Sequence, residues 1–491
     1  MQLLLFPNLS AFAIIDPVRT RKERISKMAA KQLDQKQFKK MTESPVCPLI
    51  LKLAIPTTVS MLVTGIYNTA DTYFVSQLGK SASAAVSVVF SLMALIQAIG
   101  FTLGMGSGSI ISRSLGAKDT DTASKTFTTS FFSALGIGCL ITIFGLIFLE
   151  PIMNLLGSTE TALPYAKTYA RYILLGAPIM MGSYVLNNLW RWEGKAVFSM
   201  IGIGLGGVLN IFLDPLFINV LDLGISGAAI ATVISQLISF ILLLTPVLLK
   251  KNISQLKLSL FSRDLKLHSN IWFTGLPSLL RQGLASISTI FLNQQGGKLA
   301  GDSALSAMGI FSKVVMLIFC VLLGIGQGYQ PVLGFNYGAK KYERMKTAFI
   351  FTWIFGSAVM LFFAIPLFFF AYDLMPFFID DSEVINIGAR ALRLEAFMLP
   401  LLTVNVMCNM TFQSIGERFK ASFLSCLRQG VYFIPCVFLL PRLFGIHGIE
   451  ALYPICDFLS FATSAPFALQ FLLKLDKKIR ASRTESAEAE L

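Results

Sequence analysis

The sequence predicts an all-α integral membrane protein, with twelve transmembrane helices in two pseudo-symmetric six-helix lobes. Three observations predict it. The 491 residues are 54% hydrophobic and only 14% charged, with a mean hydropathy of +0.68; a soluble domain is about 25% charged. Apolar runs repeatedly reach the roughly 20 residues that a spanning helix needs, and they are continuous, unlike the alternating strands of a barrel. The two halves also repeat, at an offset of about 220 residues, as from Gly104 to Gly324.

The first six apolar runs cover residues 49–75, 82–110, 127–149, 166–189, 196–217 and 225–249. A basic loop with Lys250, Lys251, Lys257, Arg263 and Lys266 follows. Six more runs cover 271–293, 304–332, 348–371, 389–412, 421–440 and 449–473. The expected division is an N-terminal tail (1–48), a first lobe (49–250), a linker (251–270), a second lobe (271–475) and a C-terminal tail (476–491). The opening apolar stretch is too short to cross a bilayer. Its basic cluster (Arg19, Arg21, Lys22, Arg24) follows the apolar run, the reverse of a secretory signal. The tail is expected to be flexible or to lie on the surface, and Met28 and Met41 are plausible alternative starts.

The net charge of +14 sits in short loops between apolar runs, so it indicates membrane orientation rather than nucleic acid. Basic loops alternate without a break with loops poor in Lys and Arg, such as 150–164, so both termini are expected in the cytoplasm of a cell-membrane protein. The seven cysteines form no CxxC pair and read as small packing residues. His268 and His447 stand alone in loops and suggest no metal site. No P-loop, HExxH or Ser/His/Asp set appears, so neither an enzyme nor a cofactor is expected.

The repeat is specific. GMGSGSIISRSLGAKD (104–119) has a partner in GIGQGYQPVLGFNYGAKK (324–341). Ala54-Ile-Pro56 matches Gly275-Leu-Pro277, Pro178 and Gly194 are spaced as Pro400 and Gly416, and Gly224-Ile-Ser-Gly227 matches Gly445-Ile-His-Gly448. Six spans per copy is an even number, so both copies insert with one orientation, related by an axis along the membrane normal.

The chemistry concentrates in the first half. At 1.5 Å per residue, Asp71 lies about 30 Å along span 1 and Asp214 about 27 Å along span 5, which runs in the same direction. Asn210 is one turn below Asp214 on the same helix face. Thr232 lies about 10 Å down span 6 from the outer side. No Lys or Arg lies deep in these six spans. A lone charge in lipid costs roughly 2.5–3.5 kcal/mol on insertion scales. Two unpartnered carboxylates therefore either share a proton or hold a cation between them. Both describe a coupling-ion site, for H⁺ or for Na⁺, the only metal expected.

These residues carry a resemblance. AIPTTVSMLVTGIYNTADTYFVSQLG in span 1, ISRSLGAKD after span 2, RWEGK after span 4, NIFLDPLF in span 5 and GISGAAIATVISQ in span 6 resemble the multidrug and toxic compound extrusion (MATE) family, in its prokaryotic DinF and MepA-like branch. The similarity covers about 45–473. It implies that Asp71, Asn210, Asp214 and Thr232 form an amino-lobe cation or proton site. It implies a secondary antiporter exporting amphiphilic, cationic organic compounds by alternating access, with the bilayer and small molecules as partners and a monomer as the functional unit. Arg191, Glu193 and Gly194 stand where the family has an RxEG turn at the cytoplasmic membrane edge, which reads as structural. Asn187 and Asn188, one turn earlier, are cavity candidates.

The second half differs electrostatically. Arg281, Lys313 and Arg428 are basic, and Glu395 and Asp457 acidic, inside its spans. The expectation is a neutralised network, with Asp457 between Arg281 and Lys313; the alternative is a second ion or substrate determinant. Gln282 and Gln429, in repeated Arg-Gln-Gly units, could line a cavity. Some family members have an acid about eight residues after the span 7 proline, where this chain has Ala285. That departure weights the amino-lobe site. A flippase for a lipid-linked glycan, of the same superfamily layout, is the competing function, and it would need Arg281, Lys313 and Arg428 unpaired.

Overall fold

The computed structural model describes residues 34–490. The opening apolar run and the basic cluster at 19–24 lie outside the described residues. The first lobe is built from α1 (Val46–Ser76), α2 (Lys80–Gly116), α3 (Thr120–Ile147), α4 (Leu163–Trp192), α5 (Ala196–Pro215) and α6 (Gly224–Leu248). The second is built from α7 (Leu265–Gly338), α8 (Tyr342–Phe369), α9 (Ser382–Ile415), α10 (Arg418–Cys426), α11 (Phe433–Phe444) and α12 (Leu452–Glu490).

Among the described residues, eleven helical stretches are long and apolar enough to cross a membrane. The twelfth expected span, 271–293, is helical but falls short on apolarity, because Arg281, Gln282 and several hydroxyl side chains interrupt it. It belongs to α7, a run of 74 residues. Straight, α7 would measure about 110 Å, far beyond a bilayer. Yet both of its ends meet α2: Ile271 packs against Gly106, and Phe335 against Gly116. The run therefore doubles back. Gly301, at φ +55°, makes the reversal, in a conformation that costs glycine nothing.

The internal repeat is visible in the backbone. Lys118 and Lys340, the lysines of the two GAK units, both adopt left-handed conformations, with φ 62° and 56°. Lobe-to-lobe contacts also come in matched pairs. A Cβ on Gly275 would sit 1.8 Å from the Thr102 carbonyl, and one on Gly328 would sit 2.5 Å from the Ala54 backbone. Only glycine permits helices to approach this closely, as in membrane helix pairs generally.

These contacts lie at the ends of the helices that carry the basic loops, and hydrogen bonds reinforce them. Thr57 donates to the Gly324 carbonyl at 2.6 Å and Ser109 to the Gln413 carbonyl at 2.7 Å. The lobes are thus closed at the basic face.

One expectation needs correction there. The described part of the N-terminal tail is packed between the lobes rather than loose on the surface: residues 34–43 are helical, with Met41 and Thr42 fully buried. Gln37 donates to the Glu193 carbonyl of the first lobe at 2.7 Å. From the second lobe, Asn336 donates to the Met41 carbonyl at 3.1 Å, and Lys341 and Arg344 donate to the Thr42 and Ser44 carbonyls at 3.0 and 2.5 Å. The segment is a strap across both lobes. The central linker is likewise pinned, because the Glu193 carboxylate accepts from the amides of Ile253 and Ser254 at 2.9 and 2.8 Å. The RxEG turn therefore anchors the crossing between lobes.

Candidate functional site in the first lobe

Helix approach distances assemble this site. Gly207 of α5 faces α1, where an added Cβ would lie 2.8 Å from Val63 Cγ1. Gly206 faces α6, where a Cβ would lie 2.9 Å from Ser239 Cβ. This glycine pair lets α5 wedge between α1 and α6 about two turns below its acid. Asp214 then precedes Pro215, and the chain continues as a π-helical turn, Leu216–Val220, a local irregularity that frequently accompanies functional sites.

The four polar residues come together. Asp71 is 3% exposed and Asp214 fully buried, and their carboxyls are side-chain hydrogen-bond neighbours. Asn210 Nδ2 donates to Asp214 Oδ1 at 3.1 Å and reaches Thr232 Oγ1 at 3.5 Å. Asp71 Oδ1, Asp214 Oδ2 and Asn210 Oδ1 are buried without a partner. Among the described residues, no lysine or arginine acts on either acid. Three orphaned oxygens without a donor form a site for a positive charge: a proton shared between the carboxyls, or a small hard cation.

Sequence reasoning missed two aromatic members. The fully buried Tyr169 of α4 lies against Thr232 and both acids, and Tyr67, one turn before Asp71, lies beside it. A phenol near an acid can donate to it without adding charge. The i,i+4 spacing of Tyr67 and Asp71 was a readable signal, whereas Tyr169 had none. Beneath the acids is a cavity of about 80 Å³, lined by Asn210, Thr232, Tyr67, Gln97, Phe101 and Gln236 among others. Asn187 and Asn188 do not line it. Asn187 accepts from Ser199, while Asn188 donates to the Tyr184 carbonyl at 2.7 Å and accepts from Arg191. Ser183 and Tyr184 hold the wall positions instead.

The second lobe pairs its charges differently from expectation. Asp457 is held by Arg428, Nε to Oδ1 at 2.5 Å and Nη2 to Oδ2 at 3.2 Å, and Glu395 joins at 3.4 Å. Lys313 is exposed and forms no described ion pair. Among the described residues, the hydrogen bond of Arg281 is a long one to Asn409 Oδ1, at 3.5 Å. Estimates of height along a helix carry no information about which way a side chain points, and Lys313 is exposed on the helix face that carries Leu317 and Cys320, which meet Gly65 of the first lobe. A small cavity of about 30 Å³ is lined by Arg281, Arg428, Asn405, Asn409 and Gln429; Gln282 is half-buried outside it.

The MatE profile matches residues 56–216 and again 277–438, one match per lobe. This chain belongs to the MatE family. It is a membrane transporter of the MepA-like branch of MATE proteins. The multidrug export protein MepA of Staphylococcus saprophyticus is 27% identical over 412 residues, covering 83% of this chain and 90% of that protein. MepA of Staphylococcus aureus is 25% identical over 408 residues, with the same coverage. Among solved structures, a MATE in complex with MaL6 has TM-score 0.85 and 28% identity, over 90% of this chain and 99% of that one. An outward-facing multidrug resistance MATE family transporter of the MOP superfamily has TM-score 0.84 and 28% identity, over 89% and 98%. As a MATE transporter, the chain combines a two-lobe, all-helical membrane architecture with a buried acid pair in its first lobe.

Proposed function

We propose that this MATE transporter is a secondary antiporter. It exports several drugs, as the multidrug-export names of its MepA relatives suggest; in this reading they are amphiphilic, cationic organic compounds, exchanged for H⁺ or Na⁺. One observation carries the reading: two buried carboxyls face each other over a cavity with no described basic residue to neutralise them. An ion from outside would bind Asp71 and Asp214 and favour one of two lobe arrangements, because its affinity for them differs. A cationic substrate would compete for the same charge. In this reading the protein works as a monomer in the cell membrane, with both termini and the strapped basic face in the cytoplasm.

The competing flippase reading draws support from Arg281 in the second cavity. It is weakened because Arg428 is engaged by two acids and Lys313 lines neither cavity. One free guanidinium is a poor match for a pyrophosphate.

The test is dye efflux from proteoliposomes with ΔpH or ΔNa⁺ imposed separately. Wild type should respond to one gradient, and Asp71→Asn and Asp214→Asn should each abolish the response. Gradient-driven efflux at the wild-type rate from both variants would refute the mechanism.

A further inference from the structure

Two of the seven cysteines do more than fill space between helices. Cys436 of α11 and Cys456 of α12 are side-chain hydrogen-bond neighbours, so two thiols meet across two spans. Cys456 is fully buried and Cys436 half-buried, which leaves Cys436 the accessible partner. Other cysteines are placed differently: Cys139 is exposed, Cys320 meets Gly65, and Cys408 donates to the Ser464 carbonyl at 3.7 Å. Contacts around the pair hold the two helices together. Phe433 and Tyr453, each three residues before a cysteine, bring their rings to 5.1 Å. Tyr432 and Thr463 hydrogen-bond through their hydroxyls, and Asp457, next to Cys456, is bound by Arg428. Thiols held as neighbours on packed helices need little backbone movement to join.

Span 11 is not one regular helix. α10 ends at Cys426, a π-helical turn covers Leu427–Val431, and α11 starts at Phe433. Such turns are frequent at functional sites. Arg428 lies in this turn and Cys436 just beyond it. A bond from Cys436 to Cys456 would tie the far segment of span 11 to span 12 and restrain the turn. By helix rise, Cys436 lies about 12 Å and Cys456 about 6 Å from the helix ends that meet near Gly445. That end of the bundle is opposite the basic loops. In the orientation proposed above it faces outside, where disulfides persist.

We propose that Cys436 and Cys456 are a reversible disulfide couple that a peroxide closes, locking span 11 to span 12. The Cys436 sulfur attacks one oxygen of hydrogen peroxide and the O–O bond breaks. Water leaves with the thiol proton, and Cys436 becomes a sulfenic acid. The Cys456 sulfur then attacks the Cys436 sulfur, the S–O bond breaks, and a second water carries off the Cys456 proton. The two thiols lose two electrons and one peroxide gains them. A dithiol reductant reverses the bond by exchange. The couple lies in the lobe without the acid pair and does not depend on ion coupling.

The full chain in nanodiscs is treated with hydrogen peroxide, denatured, alkylated with a maleimide and digested for mass spectrometry. In wild type the maleimide count should fall by two from seven. The peptides carrying Cys436 and Cys456 should appear joined until dithiothreitol is added. Cys436→Ser should abolish the joining and leave the remaining thiols reactive; if it does not fold, Cys436→Ala takes its place. Hydrogen exchange reads the lock. The amides of Leu427–Val431 should exchange several-fold more slowly in the oxidised wild type and recover with dithiothreitol, and peroxide should not slow them in Cys436→Ser. Absence of the joined peptide overturns the proposal, as does trapping of separate sulfenic acids by dimedone in its place. A joined peptide with unchanged exchange in the turn overturns the lock.

Discussion

Asp457 and Arg281 show how differently two charges inside one lobe can stand, the first fully buried and the second half-buried. Asp457 has both oxygens on Arg428, which also lies over the rings of Phe319 and Tyr453. Breaking such a pair leaves an uncompensated buried charge and costs about 3–5 kcal/mol. Asp457→Asn should therefore lower the thermal midpoint in detergent sharply. Replacing Arg428, Glu395 and Asp457 together by apolar residues of similar volume should recover most of the loss, because the desolvation of all three charges is then avoided. Arg281→Gln removes a charge with no acid partner, and its midpoint should match or exceed wild type. In the first lobe the acids were readable as a pair because no base accompanied them in six spans. The phenol of Tyr169 was not, since a tyrosine in an apolar helix carries no sign of which way it points.

At the scale of elements, α5 is the organising helix. Its Gly206-Gly207 pair brings α1 and α6 within contact distance, so the acids meet only because two side chains are absent. Gly207→Val would press a branched side chain into Val63 and Tyr67. Overpacking of this kind costs typically 1–3 kcal/mol and pushes α1 from α5. The expected outcome is a protein that inserts and purifies normally but loses gradient-driven efflux. Efflux at the wild-type rate would show that the spacing of these helices is unimportant. Loops matter here too. The RxEG turn reads as a structural turn from sequence, and its glutamate indeed holds the linker amides. That the linker would be clamped at all was illegible, because a basic stretch between two lobes looks the same whether it is free or docked.

For the whole molecule, closure at the basic face depends on glycine contacts between lobes and on the strap at 34–43. The strap touches Glu193 in one lobe and Asn336, Lys341 and Arg344 in the other. Any rocking of the lobes that opens this face must release one set of those bonds. Deleting residues 1–43 should shift the population toward separation there. Spin labels at Asp121 and Lys340, both exposed and on opposite lobes, would report it as a longer, broader distance distribution. An unchanged distribution would mean that the interlobe glycines hold the face shut alone. By the same logic Gly275→Ala, whose Cβ would overlap the Thr102 carbonyl, should produce separation even with the strap intact.

The chain alone determined the membrane class, the helix count to within one polar span, the two-lobe repeat and the layer of polar groups in the first lobe. Each of these is a property of composition or of position along a helix, where cost accrues residue by residue against lipid. The tertiary structure decided which charges neutralise one another in the second lobe, that the expected reversal after residue 293 falls at Gly301 within one helical run, and that the start of the described chain binds both lobes. Those outcomes depend on helix rotation and on contacts between residues hundreds of positions apart, and a one-dimensional pattern holds neither.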